Sequence, residues 1–536
     1  MGRYLRHKRL VVVSALVLTF LVGIAFYIHR VVVVNASLDS RPLEIGLAGS
    51  IDTAEPAQVS NHQELLLASL LYEGLLTYDE QSSSLKPNIA KNWSFSTDGK
   101  TLVVTLNKDV HFINGRLLTA ADVKKSWEKN FTSAQDMPAF SLFLGIQGAS
   151  ERLEGKTSDV SGIQVVNDFT LKIVLTRANA SFPAMLTNPV FWVYDCQEGN
   201  PPFAGTGPFV VRQNPDNKDI WLDRNEKYHG GRPLVTSLHI TVYPDQEAAF
   251  QAYKAGKLDY LDAVPLGELA GIEKDEKYSK LLIDRPLWDT YDIGFNLNRA
   301  PFKDNYKLRR ALNYAVDRQT IIDKVMGGNA TPLKAVLPQG IPGFNESLRG
   351  YSYDPDRAKA LLEEAGYPGG KGLSTVILSY NNDEGHRLVA ETVAQQLGQV
   401  GFPVQIQPMD WSYYKSQLNA MNLTLFRMEW RPDYPDADAF LYSIFHSSKM
   451  GVSNYGGYNN PQVDKMLEAS RSEVHNPQER IAMLNRIEEM LVDDAPYIWL
   501  FQRKAAKMIS PQVHNLKLDG MENVDWAKVE LHKLQI

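Results

Sequence analysis

The sequence predicts a mixed α/β protein that is built from several lobes. Strand-like and helix-like segments alternate along its 536 residues, and no low-complexity linker divides them. Between residues 373 and 410, "LSTVILSYNN" is followed by "LVAETVAQQLGQVGFPVQIQPMD", an order of strand, helix and strand that is typical of a parallel α/β unit. A chain of this length exceeds one ordinary domain, so two or three packed units are expected.

Local patterns predict the individual elements. "TLKIVLTR" alternates apolar and polar residues as a strand does. In "LTAADVKKSWEKNF", Thr119 is expected to cap a helix, and Asp122 three residues later completes a capping box. Asp354 opens another amphipathic helix with Pro355 at its first position. Two further helices and a last strand, "PYIWLFQ", close the chain.

Composition and charge exclude several classes of protein. The chain is 44% hydrophobic and 22% charged, as globular proteins are, and it carries a formal net charge of -6. Positive and negative residues are well mixed, so a nucleic-acid partner is not expected. Cys196 is the only cysteine in the sequence, which rules out a disulfide within the chain and disfavours thiolate metal sites. We expect Cys196 to be a half-buried small residue.

The sequence contains no motif of a known catalytic or metal centre. G-x-S-x-G, P-loop, H-E-x-x-H, paired-cysteine and EF-hand patterns are absent from it, and its histidines are scattered singly. A lone histidine is far more often a surface or core residue than a ligand. The sequence therefore predicts a protein that is not an enzyme, with no catalytic residues, no cofactor and no metal.

The N-terminus predicts export from the cytoplasm. Four arginine and lysine residues within the first nine positions precede an uncharged apolar run, Val11 to Ile28. Its length of about 18 residues is at the lower edge for crossing a bilayer. The basic residues would hold this end in the cytoplasm. A membrane anchor at residues 11–28 and a cleaved signal peptide are both open, and either places the remainder in the periplasm or at the cell surface.

Several segments together resemble one protein family. "LKPNIAKNWSFSTDGKTLVVTLNKDVHFINGRLLTAADVKKSWEKN", residues 85–130, closely resembles the signature region of the family 5 extracellular solute-binding proteins. These are the dipeptide-, oligopeptide- and nickel-binding components of ABC importers. Further segments fit the family in the same order: "LLYEGLLTYD", "GTGPFVV", "IGFNLNRAPFKDNYKLRRALNYAVDRQTII", "WRPDYPDADAFL" and "DDAPYIWLF". The resemblance covers roughly residues 42–515.

The resemblance implies a fold of the periplasmic-binding-protein type II kind. Two α/β lobes would be joined by paired hinge strands, with an additional inserted domain, and the ligand would lie between lobes that close by hinge bending. The implied bounds are 1–39 for the basic stub with its anchor or signal peptide, 40–61, 190–285 and 495–536 for lobe I, 62–189 for the inserted domain II, and 286–494 for lobe III.

The resemblance also implies a binding site in "RMEWRPDYPDADAFL", residues 427–441. In peptide-binding members, an aspartate in a W-x-x-D segment pairs with the α-amino group of the peptide, and here that segment is Trp430 to Asp433. A buried ammonium needs a carboxylate partner, or its desolvation costs several kcal/mol. Trp430 would supply a flat apolar wall. Arg427 matches a basic position that can face a ligand carboxylate in a bidentate geometry.

Other interpretations of this stretch stay open. "DYPD" is also a good turn sequence, and Asp436 and Asp438 are expected to cap the helix that follows. Two residues depart from the usual pattern of the family, because Glu429 replaces a small residue and Arg431 is bulkier than usual. Both would narrow the cleft or add charge to it.

The function implied by the resemblance is capture of di- or oligopeptides outside the cytoplasm for uptake by an ABC transporter. The implied partners are the peptide or another small solute, the permease subunits, and the membrane through the N-terminal segment, and the protein is expected to be a monomer. A nickel chelate or an oligosaccharide is the alternative ligand. A membrane-tethered sensor or chaperone is the alternative role, because the apolar segment is long and carries no cysteine for lipid attachment.

Overall fold

The computed structural model describes residues 38–132, 134, 137–197, 204–212 and 219–533. The predictions on the apolar segment 11–28 and on its cleavage lie outside these residues. Within the described ranges, no helix is both long enough and apolar enough to span a bilayer.

The described residues form twenty strands and fourteen α-helices. The strands are β1 (Leu43–Ala48), β2 (Leu76–Asp79), β3 (Ser84–Pro87), β4 (Ala90–Phe95), β5 (Thr101–Leu106), β6 (Ile163–Asn167), β7 (Thr170–Val174), β8 (Phe209–Val211), β9 (Asp219–Arg224), β10 (Ser237–Tyr243), β11 (Tyr260–Leu261), β12 (Leu282–Pro286), β13 (Thr290–Phe295), β14 (Ala330–Pro332), β15 (Val376–Asn381), β16 (Val404–Met409), β17 (Leu425–Trp430), β18 (Tyr497–Ile509), β19 (Val513–His514) and β20 (Glu530–Leu531). The helices are α1 (His62–Leu71), α2 (Ala120–Lys129), α3 (Ala149–Leu153), α4 (Phe182–Met185), α5 (Gln246–Lys254), α6 (Leu266–Lys274), α7 (Tyr306–Ala315), α8 (Arg318–Val325), α9 (Pro355–Glu364), α10 (Glu384–Gln399), α11 (Trp411–Asn419), α12 (Asp438–Phe445), α13 (Pro461–Ser472) and α14 (Pro477–Asp494).

An antiparallel sheet with strand order β4-β5-β7-β6 forms the centre of the inserted domain. In β5, every second side chain is buried, as the alternating sequence requires. These side chains share a core with Trp127 of α2. The predicted capping box of α2 is confirmed, because the Asp122 carboxylate accepts a hydrogen bond of 2.9 Å from the backbone N–H of Thr119. The predicted cap of α9 is confirmed as well, since Asp354 accepts from the backbone N–H of Arg357 at 2.9 Å.

The two lobes share one twelve-stranded sheet through the long strand β18. The first half of β18 pairs with β13 in lobe III, and its second half pairs with β12 and β11 in lobe I. Strands β12 and β13 are separated by residues 287–289 alone. Two extended segments therefore cross between the lobes side by side, which is the paired-strand hinge that the fold class predicts.

Side chains hold the two crossing segments together. The Asp289 carboxylate accepts hydrogen bonds from the backbone N–H of Arg503 at 2.9 Å and from its Nε at 2.7 Å. The Gln502 side chain donates to the carbonyl of Leu287 at 3.0 Å. Both contacts join the 287–289 connection to the middle of β18.

The predicted parallel unit forms the outer part of lobe III. Strand β15 pairs in parallel with β16 on one side and with β17 on the other, and α10 and α11 make the connections. Since the strands are parallel, their carboxyl ends meet at one edge of the sheet. The strand order reverses at β15, and in open α/β sheets ligands bind outside the carboxyl ends of the strands at such a reversal. Residues that follow Asn381, Met409 and Trp430 are therefore candidates for a ligand site.

The bounds of the individual domains stay a prediction. The sequence-based bounds place α1 in the inserted domain, whereas Leu66 and Leu70 of this helix pack into the same core as Leu43 and Ile45 of lobe I. This packing favours an inserted domain that begins after α1.

The prediction for Cys196 is confirmed, since the residue is half-buried and its thiol is free. Burial raises the pKa of the Cys196 thiol to about 11, which keeps it protonated at neutral pH. The Cys196 thiol is therefore not activated as a nucleophile.

Candidate ligand-binding site

Asp433 follows the carboxyl end of β17 and carries an unpaired carboxylate. No described residue forms a hydrogen bond or an ion pair with this carboxylate, and its side chain stays exposed to solvent. The protein around it nevertheless displaces enough water to raise the pKa of Asp433 to about 6. A carboxylate that is partly desolvated and lacks a partner would bind a cationic group favourably.

The loop that carries Asp433 is fixed against the inserted domain. The Asn188 side chain donates a hydrogen bond of 2.8 Å to the backbone carbonyl of Asp433. The next residue, Tyr434, is buried in the core of the inserted domain. Its hydroxyl donates to the Asp438 carboxylate at 2.8 Å. The backbone around Asp433 is therefore held in place from two directions.

The expectation that Asp438 caps the following helix is wrong. Ala437 is the N-cap, and Asp438 is the first residue of α12. Its fully buried carboxylate accepts hydrogen bonds from Arg471 at 2.7 and 2.9 Å, and this guanidinium supplies the counter-charge that a buried carboxylate requires. Asp436 partly fulfils the expectation, since it accepts from the backbone N–H of Asp438 at 2.8 Å, and it also pairs with Arg480.

Trp430 is half-buried at the end of β17. Its indole N–H donates a hydrogen bond of 2.9 Å to the carbonyl of Ala439, and the ring packs against the core of lobe III. The indole is therefore fixed in orientation and keeps part of its surface accessible, as a pocket wall must.

Arg427 is buried, with 7% of the residue exposed. Its guanidinium lies over the ring of Tyr291 at 5.1 Å and donates to the Asn381 side chain at 3.2 Å. It also forms an ion pair with Glu429. The charge of Arg427 is thus satisfied within the protein.

His386 was not predicted as a site residue, but it lies next to Tyr291, the ring that Arg427 covers. His386 is near the start of α10, and its Nδ1 lies 3.1 Å from the Tyr291 hydroxyl. Burial, reinforced by the positive charge of Arg427, lowers the pKa of His386, so its imidazole is neutral at pH 7. The signal that would have found it is its position five residues after the carboxyl end of a parallel strand.

Two exposed aromatic residues on the same edge were also missed. Trp411 and Tyr413 lie in the first turn of α11, directly after β16, and each is 57% exposed. Large aromatic side chains are usually buried, and exposed aromatic rings at the carboxyl edge of a parallel sheet are suited to stacking against a ligand.

Arg431 connects the edge of lobe III to lobe I. It pairs with Glu522, which lies in the C-terminal part of lobe I. Glu522 also contacts Lys507 at 3.1 Å, and Lys507 pairs with the buried Asp262 at 2.7 Å. The additional charge that Arg431 brings is therefore neutralised.

Segment 427–438 carries six ionised side chains, and all but one of them are paired within the described ranges. Its ionised side chains are Arg427, Glu429, Arg431, Asp433, Asp436 and Asp438. Each of the others has an ion-pair partner, and Asp433 is the one that lacks a partner among the described residues.

A match to a family model identifies the family of this protein. Residues 84–452 match the model described as "Bacterial extracellular solute-binding proteins, family 5 Middle", and this range is more than half of the chain. The chain belongs to the family 5 extracellular solute-binding proteins. The family and the fold class predicted from the sequence are confirmed, and the family is one of solute-binding proteins.

Individual members of family 5 are similar over most of their length. Heme-binding protein A of Haemophilus influenzae is 29% identical over 465 residues, 83% of each protein. The periplasmic murein peptide-binding protein MppA of Escherichia coli is 27% identical over 500 residues, 88% of this chain and 90% of that protein. The solved structure of MppA in its unliganded open form superposes with a TM-score of 0.83 at 25% identity, over 93% of this chain and 99% of that one.

Proposed function

We propose that this protein captures a peptide-like ligand through its ammonium group and delivers it to an ABC importer. The single observation that carries the proposal is the Asp433 carboxylate, which is partly desolvated, still accessible to solvent and unpaired among the described residues. An ammonium enclosed by protein needs such a counter-charge, because desolvating an unpaired ion costs several kcal/mol. The similarity to MppA, a murein peptide-binding protein, supports a peptide-like ligand.

The surroundings of Asp433 fit a ligand of variable side chains. Trp430, three residues before Asp433, would supply an apolar wall, and Trp411 and Tyr413 offer further aromatic surface on the same edge of the sheet. Aromatic surfaces accept many side chains without demanding one hydrogen-bond pattern. Arg427 contributes through its packing and ion pair in this proposal, since little of it is accessible.

Closure would occur by bending at the paired segments β12–β13 and β18. Few residues have to change conformation there, because the 287–289 connection and the centre of β18 are adjacent. The protein would act in the periplasm or at the cell surface as a monomer, and its closed form would dock on the permease subunits of the importer. Residues 11–28 would serve as signal peptide or anchor.

Ligand-dependent stabilisation tests the proposal. A thermal-shift series with di- to pentapeptides is expected to stabilise the protein, by about 2.7 kcal/mol when a ligand is present at one hundred times its Kd. Hemin, a nickel–histidine complex and a malto-oligosaccharide serve as the comparison ligands. Stabilisation by one of these three and by no peptide would contradict the proposal.

Peptide affinity is expected to fall on acidification. The pKa of Asp433 is raised to about 6 in the free protein, and the ammonium pairs with the ionised form alone. The Kd should therefore be constant above about pH 7 and rise by up to tenfold for each pH unit below about pH 6. Isothermal titration calorimetry between about pH 8 and pH 4.5 measures this dependence. His386 on the same edge of the sheet is also ionisable, so Asp433→Asn is the control, and an equal slope in that variant would contradict the assignment.

A further inference from the structure

The Glu429 carboxylate lies between two guanidinium groups. Its Oε2 pairs with Nη2 of Arg427, and its Oε1 pairs with Nη2 of Arg503. Arg427 comes from the same strand, whereas Arg503 comes from the hinge strand β18. A carboxylate that gives one oxygen to each of two arginines occupies the position that the carboxylate of a ligand would take between them.

One further donor of each arginine is also engaged. Nη1 of Arg427 donates to Asn381 at 3.2 Å, while Nε of Arg503 donates to the buried Asp289 at 2.7 Å. Nε of Arg427 has no partner, but it is buried. To take the position between the two guanidinium groups, a ligand carboxylate would have to displace Glu429, whose charge would then lose both partners and be repelled by the incoming one.

The charged residues within β17 differ from the charged residue just beyond its carboxyl end. Arg427, Arg503, Glu429 and Asp289 carry two positive and two negative charges, so this group is neutral as a whole. Beyond the end of the strand, Asp433 has no described partner. The site therefore offers one negative charge and no uncompensated positive one along this segment.

We propose that Glu429 replaces a ligand carboxylate from within the protein, so that the site selects peptide-like ligands by their ammonium group and is indifferent to a free C-terminal carboxylate. This inference rests on the proposed function. The chemical class of ligand is a peptide or peptide-like amine of net positive charge, including those whose carboxyl end is amidated or substituted. Glu429 is the residue that determines this selectivity.

Matched alanine peptides test the inference. Tri-, tetra- and penta-alanine are prepared as free acids, as C-terminal amides and as N-acetyl derivatives, and their Kd values for the full chain are measured by calorimetry. In the wild type, acid and amide are expected to agree within about threefold, and the N-acetyl form to bind most weakly. In Glu429→Gln, the two guanidiniums lose their shared counter-charge, and the acid should bind at least about tenfold more tightly than the amide.

Glu226→Gln is the matched control. The Glu226 carboxylate also joins two arginines, Arg224 at 2.8 Å and Arg232 at 2.5 Å, but it does so on the exposed surface of lobe I. This variant should have the wild-type ratio of acid to amide affinity. The control separates the position of Glu429 from the general effect of removing a carboxylate between arginines.

The outcomes distinguish the inference from the proposed function. If the wild type prefers the acid to the amide by about tenfold or more and rejects the N-acetyl form, the inference fails and the function stands. The same holds if Glu429→Gln keeps the wild-type ratio. If no alanine peptide binds in any form, the proposed function and the inference fall together. If Glu429→Gln does not fold, the ratio of acid to amide affinity in the wild type tests the inference by itself.

Discussion

Asp433→Asn is expected to weaken peptide binding by about 30-fold to several thousand-fold, which corresponds to a loss of about 2 to 5 kcal/mol. The asparagine keeps the shape of the side chain and removes its charge. The ammonium of the ligand would then be enclosed without a counter-charge, since no other described side chain near Asp433 offers a free carboxylate. Calorimetry with the peptide that binds most tightly measures the loss.

Without ligand, Asp433→Asn is expected not to lower the stability of the protein. The folded protein raises the pKa of Asp433 to about 6, above its value in an unfolded chain. Above that pH, the ionised Asp433 therefore destabilises the folded protein relative to the unfolded chain. The neutral asparagine should therefore leave the melting temperature unchanged or raise it. N-acetyl peptides are the matched ligands, because they should bind the wild type and the variant equally weakly. If the variant unfolds and the peptide affinity of its folded fraction is intact, Asp433 is a structural turn residue.

Asp438→Asn is expected to lower the free energy of unfolding by about 3 to 5 kcal/mol. The Asp438 side chain is fully buried and holds the guanidinium of Arg471, which stacks on the Tyr442 ring at 3.1 Å. Removing the negative charge leaves the Arg471 guanidinium, whose side chain is only 16% exposed, without its counter-charge. The hydroxyl of Tyr434 also loses its charged acceptor. Urea denaturation followed by circular dichroism measures the change.

The pH dependence of this ion pair has a definite sign. Arg471 holds the pKa of Asp438 below its usual value, so the stabilisation is present above the unfolded pKa of about 4 and is lost as the pH falls through the folded pKa. Asp223→Asn is the control, because Asp223 forms a similar pair with Arg212 that is nearly half exposed. That variant should lose no more than about 1 kcal/mol. Equal losses of unfolding free energy in the two variants would contradict the conclusion that burial makes the Asp438 ion pair the more stabilising one.

The parts of the fold that depend on local periodicity were predictable from the sequence. The strand, helix and strand between residues 373 and 410 are β15, α10 and β16, and they pair in parallel as expected. The capping box of Thr119 and Asp122 is set by residues three positions apart, so its chemistry is visible in the sequence. The strand that ends at Trp430, β17, was not predicted from the sequence.

The partners of charged residues were not predictable in this way. Arg471 lies 33 residues from Asp438, and Arg503 is 74 positions beyond Glu429, so only the folded chain brings them together. The sequence identified Glu429 as a departure from the family pattern, but the neutralisation of Arg427 became clear from the ion pairs. His386 and Trp411 were missed because their relevance depends on the common edge of three parallel strands.

Native mass spectrometry of the full chain, purified without denaturation, shows directly which ligand the protein carries. A ligand held between closed lobes is released only when they open, so it is expected to be retained through purification. The released molecule is expected to be a peptide or peptide-like compound with a free amino group, which gains mass on treatment with an amine-acetylating reagent. Retention of heme, a nickel chelate, an oligosaccharide or any other molecule without a free amine would contradict this expectation.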